Sequence, residues 1–423
     1  MSPLKRSSLL RRLSASGIGR ALAERNYRLF TIGSTIGLIG QWTQRMGMGW
    51  LTWELTHSGT WLGLIAFADL FPTVVLTPFA GVLSDRVDRR RMITVTQFLA
   101  MVQAVLLAAL TLMDLIEIWS LFALALFLGI VMSFNVAARL ALTTGMSRRE
   151  NLPTAIGINS AVFNGARFLG PAIGGTIIVS WGIGVAFVVN ALSFFAPLVA
   201  LMMMRDLHPD ELATHKAGVF SQIGEGVRYA WQHRGIGPVL VVSSAVALGV
   251  KPFMELLPGI ADEVYAGGAQ ALAELTAATG LGALIMALWL AQRGRLRGLT
   301  VVVIASTVVS GAAVLAFSAS HIYWLGLVCA FVAGGAMTIS GAGTQTLMQN
   351  AVESAVRGRV MSLFGLIFRG APALGALILG LLSEVIGLQL ALAIGGAGTV
   401  VVGFLYWRLR HVAGRALERD RAA

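Results

Sequence analysis

The feature that most constrains this chain is a succession of apolar stretches, each long enough to cross a bilayer. A hydrocarbon core of about 30 Å takes roughly 20 apolar residues in a helix. Twelve such segments lie near 28–54, 59–83, 92–113, 117–140, 154–179, 183–204, 236–258, 271–291, 299–318, 322–345, 361–383 and 388–407. No water reaches the bilayer core to satisfy backbone groups, so segments of this length must be helical. Composition agrees: 56% of the 423 residues are hydrophobic and 12% are charged, against about 25% charged in a soluble chain. A net charge of +12 would point to nucleic acid in a soluble domain. Here the basic residues flank apolar segments and mark loops.

Their placement predicts orientation. Four of the 32 Lys and Arg lie inside spans: Arg45, Arg167, Lys251 and Arg369. The rest fall in the termini, in loops after even-numbered spans, or at the ends of spans on that side. The loops after odd-numbered spans carry Asp114, Glu117, Asp262 and Glu263 instead. Short basic loops stay in the cytoplasm, so both termini are expected there. No cleavable signal is evident, because no apolar core follows the basic N-terminus until about Leu29. The longest polar stretch, 205–235, divides the chain. The expected organisation is a cytoplasmic tail (1–27), a six-helix bundle (28–204), a central cytoplasmic loop (205–235), a second six-helix bundle (236–407) and a cytoplasmic tail (408–423). Within the central loop, 221–232 reads as a short amphipathic surface helix.

An internal repeat relates the halves. Gly157, Phe163, Pro171 and Gly174 recur as Gly358, Phe364, Pro372 and Gly375, all at an offset of 201. Two six-helix halves with internal symmetry predict a cavity at mid-membrane between them, and alternating access by rocking of one half against the other.

Two motifs carry a resemblance. The run Gly81-Val82-Leu83-Ser84-Asp85-Arg86-Val87-Asp88-Arg89-Arg90-Arg91 resembles the loop signature of the major facilitator superfamily, with Asp88 where that family has glycine. Gly170, Pro171, Gly174 and Gly175 resemble a second signature, found mainly in exporters that work as antiporters. Independently of the resemblance, Gly170 and Gly174 let a neighbouring helix approach, and Pro171 removes one backbone hydrogen bond and kinks the helix. Asn26-Tyr27-Arg28-Leu29-Phe30, Gly40-Gln41-Trp42, Glu54-Leu55-Thr56-His57-Ser58 and the run 148–155 are similar to the bacterial exporter branch that includes the enterobactin exporter. The resemblance implies the major facilitator fold, with twelve helices in two pseudo-symmetric bundles, in the bacterial inner membrane. It also implies proton antiport and export of small amphipathic, drug-like or siderophore-like molecules. It assigns Gly81, Asp85, Arg86, Arg89 and Arg90 to a conformational switch. Asp85 is expected to meet the N-terminal end of the eleventh span, near Arg357 and Arg359, when the cytoplasmic side closes. Gly170, Pro171, Gly174, Gly175, Pro372 and Gly375 are expected at helix contacts and kinks.

Ionisable residues inside spans are the functional candidates, since a charge at the bilayer centre costs about 2.5–3.5 kcal/mol on insertion scales. Arg45 lies twelve residues before His57, and Asp69 twelve after it. Both are therefore about 18 Å from the external turn, and can pair at mid-membrane. Gln41, Arg45, Met48 and Thr52 form one helical stripe, and Asp69 shares a face with Thr73. Lys251 and Glu255 are spaced to pair along the seventh span. Asp69, then Glu255, are the proton-coupling candidates. Gln41, Trp42, Arg45, Met48, Thr73, Arg167, Lys251 and Arg369 are the candidate cavity lining.

No catalytic residue, metal site or cofactor is expected. The chain lacks G-x-x-x-x-G-K-S/T, so no nucleotide drives it. Its six histidines lie in loops or tails without ligand spacing, and one cysteine, Cys329, cannot form an intrachain disulfide. The expected partners are a small-molecule substrate, protons and the lipid bilayer, with no nucleic acid, and the chain is expected to be a monomer. Two other readings stay open: an importer or facilitator of a small, anionic metabolite, favoured by four intramembrane cations against two acids, and a non-transporting membrane sensor or scaffold.

Overall fold

The computed structural model describes residues 17–84, 87–146, 152–204 and 219–418. Those residues are helical almost throughout, with no strand among them. The spans are Arg25–Thr56 (span 1), Gly59–Ser84 (span 2), Arg89–Leu112 (span 3), Ile118–Met146 (span 4), Leu152–Trp181 (span 5), Ile183–Met203 (span 6), Ile236–Val264 (span 7), Gly268–Arg293 (span 8), Leu299–Ser318 (span 9), Tyr323–Ala351 (span 10), Ser354–Ile386 (span 11) and Leu388–Trp407 (span 12). Eleven of these helices contain a stretch long and apolar enough to cross a membrane. Span 1, with 32 residues, is about 48 Å long but less apolar, because Gln41, Gln44, Arg45 and Glu54 interrupt it. Of these, Arg45 reaches the other half, whereas Gln41 and Gln44 bond within the first.

Span 6 is broken at Phe194 into Ile183–Ser193 and Phe195–Met203. Span 7 departs further from a simple helix. Two π-helical turns, Val246–Val250 and Ile260–Val264, flank a short α-helical piece, Phe253–Gly259. It runs to Val264, so Asp262 and Glu263 sit in its last turn instead of in a loop. Asp88, the departure from the loop signature, caps span 3: its side chain accepts from the Arg91 amide at 2.9 Å. Aspartate at a helix N-cap satisfies an amide that glycine leaves open.

The short helix read at 221–232 is present as Val219–Gln232. A second surface helix, Arg410–Leu417, lies in what reads as a free tail. Ala413 and Leu417 are fully buried. Glu418 accepts from the amides of Gly298 and Thr300 at 2.6 and 2.8 Å, at the N-terminus of span 9.

The halves meet along two helix pairs, span 2 with span 11 and span 5 with span 8. Both contacts depend on missing side chains. A Cβ on Gly63 would strike the Ala376 carbonyl, and one on Gly280 would strike the backbone of Arg167 and Phe168. The contacts are tight on the side whose loops lack Lys and Arg. There the Trp53 indole donates to Asp262 at 2.9 Å, and Gly49 packs against Pro258. Toward the basic side the halves part. Gly81 is two turns from Val74, which touches Gly370, and Gly157 is three turns from Phe168, yet a Cβ at either would meet nothing within 4 Å. The molecule is sealed on the arginine-free side and open on the basic side.

One acid adds to that seal. Glu384, near the end of span 11, accepts from the Ser58 hydroxyl and from the Thr60 amide at 3.2 Å. It caps the N-terminus of span 2 from the opposite half. A carboxylate at a helix N-terminus contributes about 0.3–1 kcal/mol when exposed and up to about 2 when partly buried. Glu384→Gln is therefore expected to open the arginine-free side several-fold more often. In a Cys329→Ser background, a cysteine replacing buried Ser383 should react with a small thiol reagent several-fold faster in Glu384→Gln than with Glu384 intact. An unchanged rate would show that the cap does not hold the seal.

Candidate substrate and proton site

Span 1 brings Arg45 to the centre of the protein, and span 2 brings Asp69 to the same depth. The Arg45 guanidinium donates to Asp69 Oδ2 at 2.9 Å. Its other terminal nitrogen donates to Glu255 Oε1 at 2.7 Å. Asp69 belongs to the first half and Glu255 to the second, so one guanidinium bridges both. Side-chain exposures of 33% for Arg45, 21% for Asp69 and 19% for Glu255 leave the triad partly accessible. A fork of two donors on two carboxylates is the geometry that arginine provides and lysine does not.

Glu255 reaches Arg45 because span 7 is not a regular helix. The Lys251 amide donates to Val246, five residues back, and the Glu255 amide to Pro252, three back. The loosened and then tightened turns rotate Glu255 off the face that holds Lys251. The expected pairing of these two residues does not form. Lys251 Nζ instead donates to the Phe368 carbonyl at 3.2 Å and sits 3.3 Å above the Phe368 ring. That carbonyl is available because Pro372, four residues on, has no N–H to give it. The repeat places the same vacancy on Arg167, four residues before Pro171.

Trp42 stands between two cations. Arg45 lies 5.9 Å and Arg167 5.7 Å from its ring centre, and Phe163 meets it edge-on at 5.9 Å. The buried Nε of Arg167 has no hydrogen-bond acceptor among the described residues. Gly170 and Gly174 pack span 5 against Trp42 and Thr43 of span 1, and the Thr43 hydroxyl donates to the Gly170 carbonyl at 2.9 Å. Gly375 packs span 11 against Leu248 and Pro252 of span 7, which is the same contact in the other half. Gly175 faces Ala273 of span 8.

Other expected residues fall elsewhere. Met48 is buried among Leu51, Leu107 and Phe187, and accepts from the Gln44 amide, so it does not line the cavity. Thr52, on the same stripe, is fully buried. The face of span 1 turned to the other half carries Arg45, Gly49 and Trp53. Gln41 is partly buried and donates to Met132 of span 4. Thr73 is partly buried one turn beyond Asp69, and Arg369 is exposed beside Phe368. Of the switch residues, Asp85 and Arg86 lie outside the described residues. Gly81 lies in the last turn of span 2, Arg89 begins span 3, and Arg90 donates to the Met202 carbonyl of span 6 at 3.2 Å.

Sequence reasoning missed a buried amide network. Gln44 donates to Gln103 at 3.0 Å and accepts from Asn190 at 2.6 Å. It ties spans 1, 3 and 6 into one unit behind the Arg45 triad. The available signal was three amides inside apolar segments, since such groups bond across helices in a membrane.

The model of the transmembrane secretion effector family matches residues 19–422. The staphyloferrin A transporter of Staphylococcus aureus is 22% identical over 400 residues, covering 93% of this chain and 98% of the relative. The enterobactin exporter EntS of Shigella flexneri is 26% identical over 354 residues, covering 84% and 82%. Among solved structures, a POT family transporter in complex with 5-aminolevulinic acid superposes with a TM-score of 0.74 at 11% identity, covering 92% of this chain and 97% of that one. A bacterial homologue of the human lysosomal transporter Spinster, inward-facing and occupied, gives 0.70 at 14% identity, covering 94% and 98%. The two-bundle fold and the family match remove the sensor and scaffold reading and any enzymatic one: this chain is a multi-pass membrane transporter, and it belongs to the transmembrane secretion effector family of the major facilitator superfamily.

Proposed function

We infer that the protein is a proton-coupled antiporter that exports small amphipathic, siderophore-like or drug-like molecules across the bacterial inner membrane by alternating access. The observation that carries this reading is the bridge from Arg45 to Asp69 and Glu255. A proton arriving on either carboxylate weakens the hold of the guanidinium on that half. Proton occupancy and the relation between the halves are thereby linked, which is what coupling requires. One elementary charge crossing 100 mV supplies about 2.3 kcal/mol, comparable to one such interaction.

Export is supported by the Gly170-Pro171 run in span 5 and by the exporter among the relatives. Both termini are cytoplasmic in this reading, because the basic side is the one retained there. The open side of the molecule then faces the cytoplasm, ready to load. The Asp85 switch is part of the same reading: closing the cytoplasmic side would bring Asp85 to the start of span 11, as Glu384 meets the start of span 2 on the other side.

Inside-out vesicles with an acidic interior provide the test. Radiolabelled enterobactin or staphyloferrin A should accumulate in them against a gradient, and the accumulation should collapse with a protonophore. Accumulation only in right-side-out vesicles would make the protein an importer. Asp69→Asn should abolish gradient-driven accumulation while leaving the protein inserted; normal flux at normal expression would remove Asp69 from the coupling step. If Arg45 and Asp69 formed only a static clip, each single mutant would lose thermal stability and the exchanged pair, Arg45→Asp with Asp69→Arg, would regain it together with transport. The coupling reading predicts that the exchanged pair stays inactive.

A further inference from the structure

The charges around the Arg45 triad do not balance, and the imbalance has a shape. Arg45 engages both carboxylates. Arg167 and Lys251 are near enough to repel one another, and neither has a carboxylate within 4.0 Å among the described residues; Glu255, already engaged by Arg45, attracts Arg167 only from beyond that distance. Lys251 holds a carbonyl oxygen and a ring face, and Arg167 holds only the Trp42 ring. Cations kept out of bulk water without a counter-charge are costly unless a ligand or a wet cavity supplies one.

Beside each cation stands a partly exposed aromatic ring. Phe163, next to Trp42 and Arg167, is 48% exposed, and Phe368, beneath Lys251, is 38% exposed. Arg167 and Phe368 are related by the 201-residue repeat, as are Phe163 and Phe364. The first group comes from spans 1 and 5, the second from spans 7 and 11. Each half thus offers one cation and one exposed ring.

We propose that this cavity takes an aromatic anion, held between Phe163, Trp42 and Arg167 of one half and Lys251 and Phe368 of the other. The proposal rests on the transport reading and names the substrate class of that site. The anion neutralises Arg167 and Lys251, and the ring occupies the aromatic faces. A cation is repelled by both basic groups. A neutral ring leaves them uncompensated, and an anion without a ring leaves Phe163 and Phe368 facing water.

The test is equilibrium binding to the full chain in lipid nanodiscs, with three probes: naphthalene-2-carboxylate, 2-naphthylmethylamine and cyclohexanecarboxylate. Naphthalene-2-carboxylate should bind at least tenfold more tightly than the other two. Arg167→Gln should weaken it at least tenfold, Arg167→Lys only a few-fold, and Phe368→Leu should narrow its advantage over cyclohexanecarboxylate. Failure of naphthalene-2-carboxylate to bind, equal affinity for all three probes, or tighter binding of the amine would overturn the proposal. So would unchanged affinity in Arg167→Gln. Arg167→Lys keeps the charge and guards against a folding defect in the glutamine variant. Binding as expected by a protein that shows no proton-driven accumulation would overturn the transport reading and leave this one standing. Driven accumulation without the binding preference would do the reverse.

Discussion

The bridge that Arg45 makes to Asp69 and Glu255 is the interaction on which the rest of the arrangement depends. It joins the two halves through one side chain near the middle of the spans. Everything around it serves to place one guanidinium. The amides of Gln44, Gln103 and Asn190 fix the back of span 1. Gly170 and Gly174 let span 5 close on its side. The π-helical turns of span 7 swing Glu255 into reach. π-Bulges are often found at functional sites because they re-aim a side chain without ending the helix.

Much of this was legible in the sequence, for reasons that are physical. Twelve spans and two halves follow from bilayer thickness and from an offset of 201, and the structure has both. The Arg45 and Asp69 pairing follows from counting residues to a shared turn. Glu255 was misassigned to Lys251 because i, i+4 spacing presumes a regular helix, and a π-turn has no strong sequence signature beyond the nearby Pro252 and Pro258. The stripe through Gln41, Arg45 and Met48 predicts Met48 at the cavity, yet its side chain packs among Leu51, Leu107 and Phe187. Periodicity shows that residues share a face but not what the face meets. The cap from Glu384 to span 2 joins residues more than 300 positions apart, and no local pattern encodes it. Glu418 at span 9 is a second such case.

The internal repeat also explains why the halves differ in chemistry while sharing a scaffold. Pro171 and Pro372 each free the carbonyl four residues back. In the second half Lys251 takes up that carbonyl at Phe368. In the first half the residue with the freed carbonyl is Arg167 itself, and span 8 passes close to it at Gly280. One duplicated kink has thus become a cation with a carbonyl in one half and a cation on a tryptophan in the other. In the proposed site this asymmetry gives one ligand different partners in the two halves.

The central claim is that the Arg45 bridge holds the molecule sealed on one side and open on the other. Spin labels at exposed Leu83 on span 2 and Ser362 on span 11, in a Cys329→Ser background, report the gap at the basic ends of the halves. Pulsed dipolar spectroscopy of the protein in nanodiscs should show a long distance at high pH. Acidification should add a shorter one, and Glu255→Gln should favour the shorter distance at every pH. A distance distribution that is the same in Glu255→Gln and in the parent, and unmoved by pH, would contradict the account.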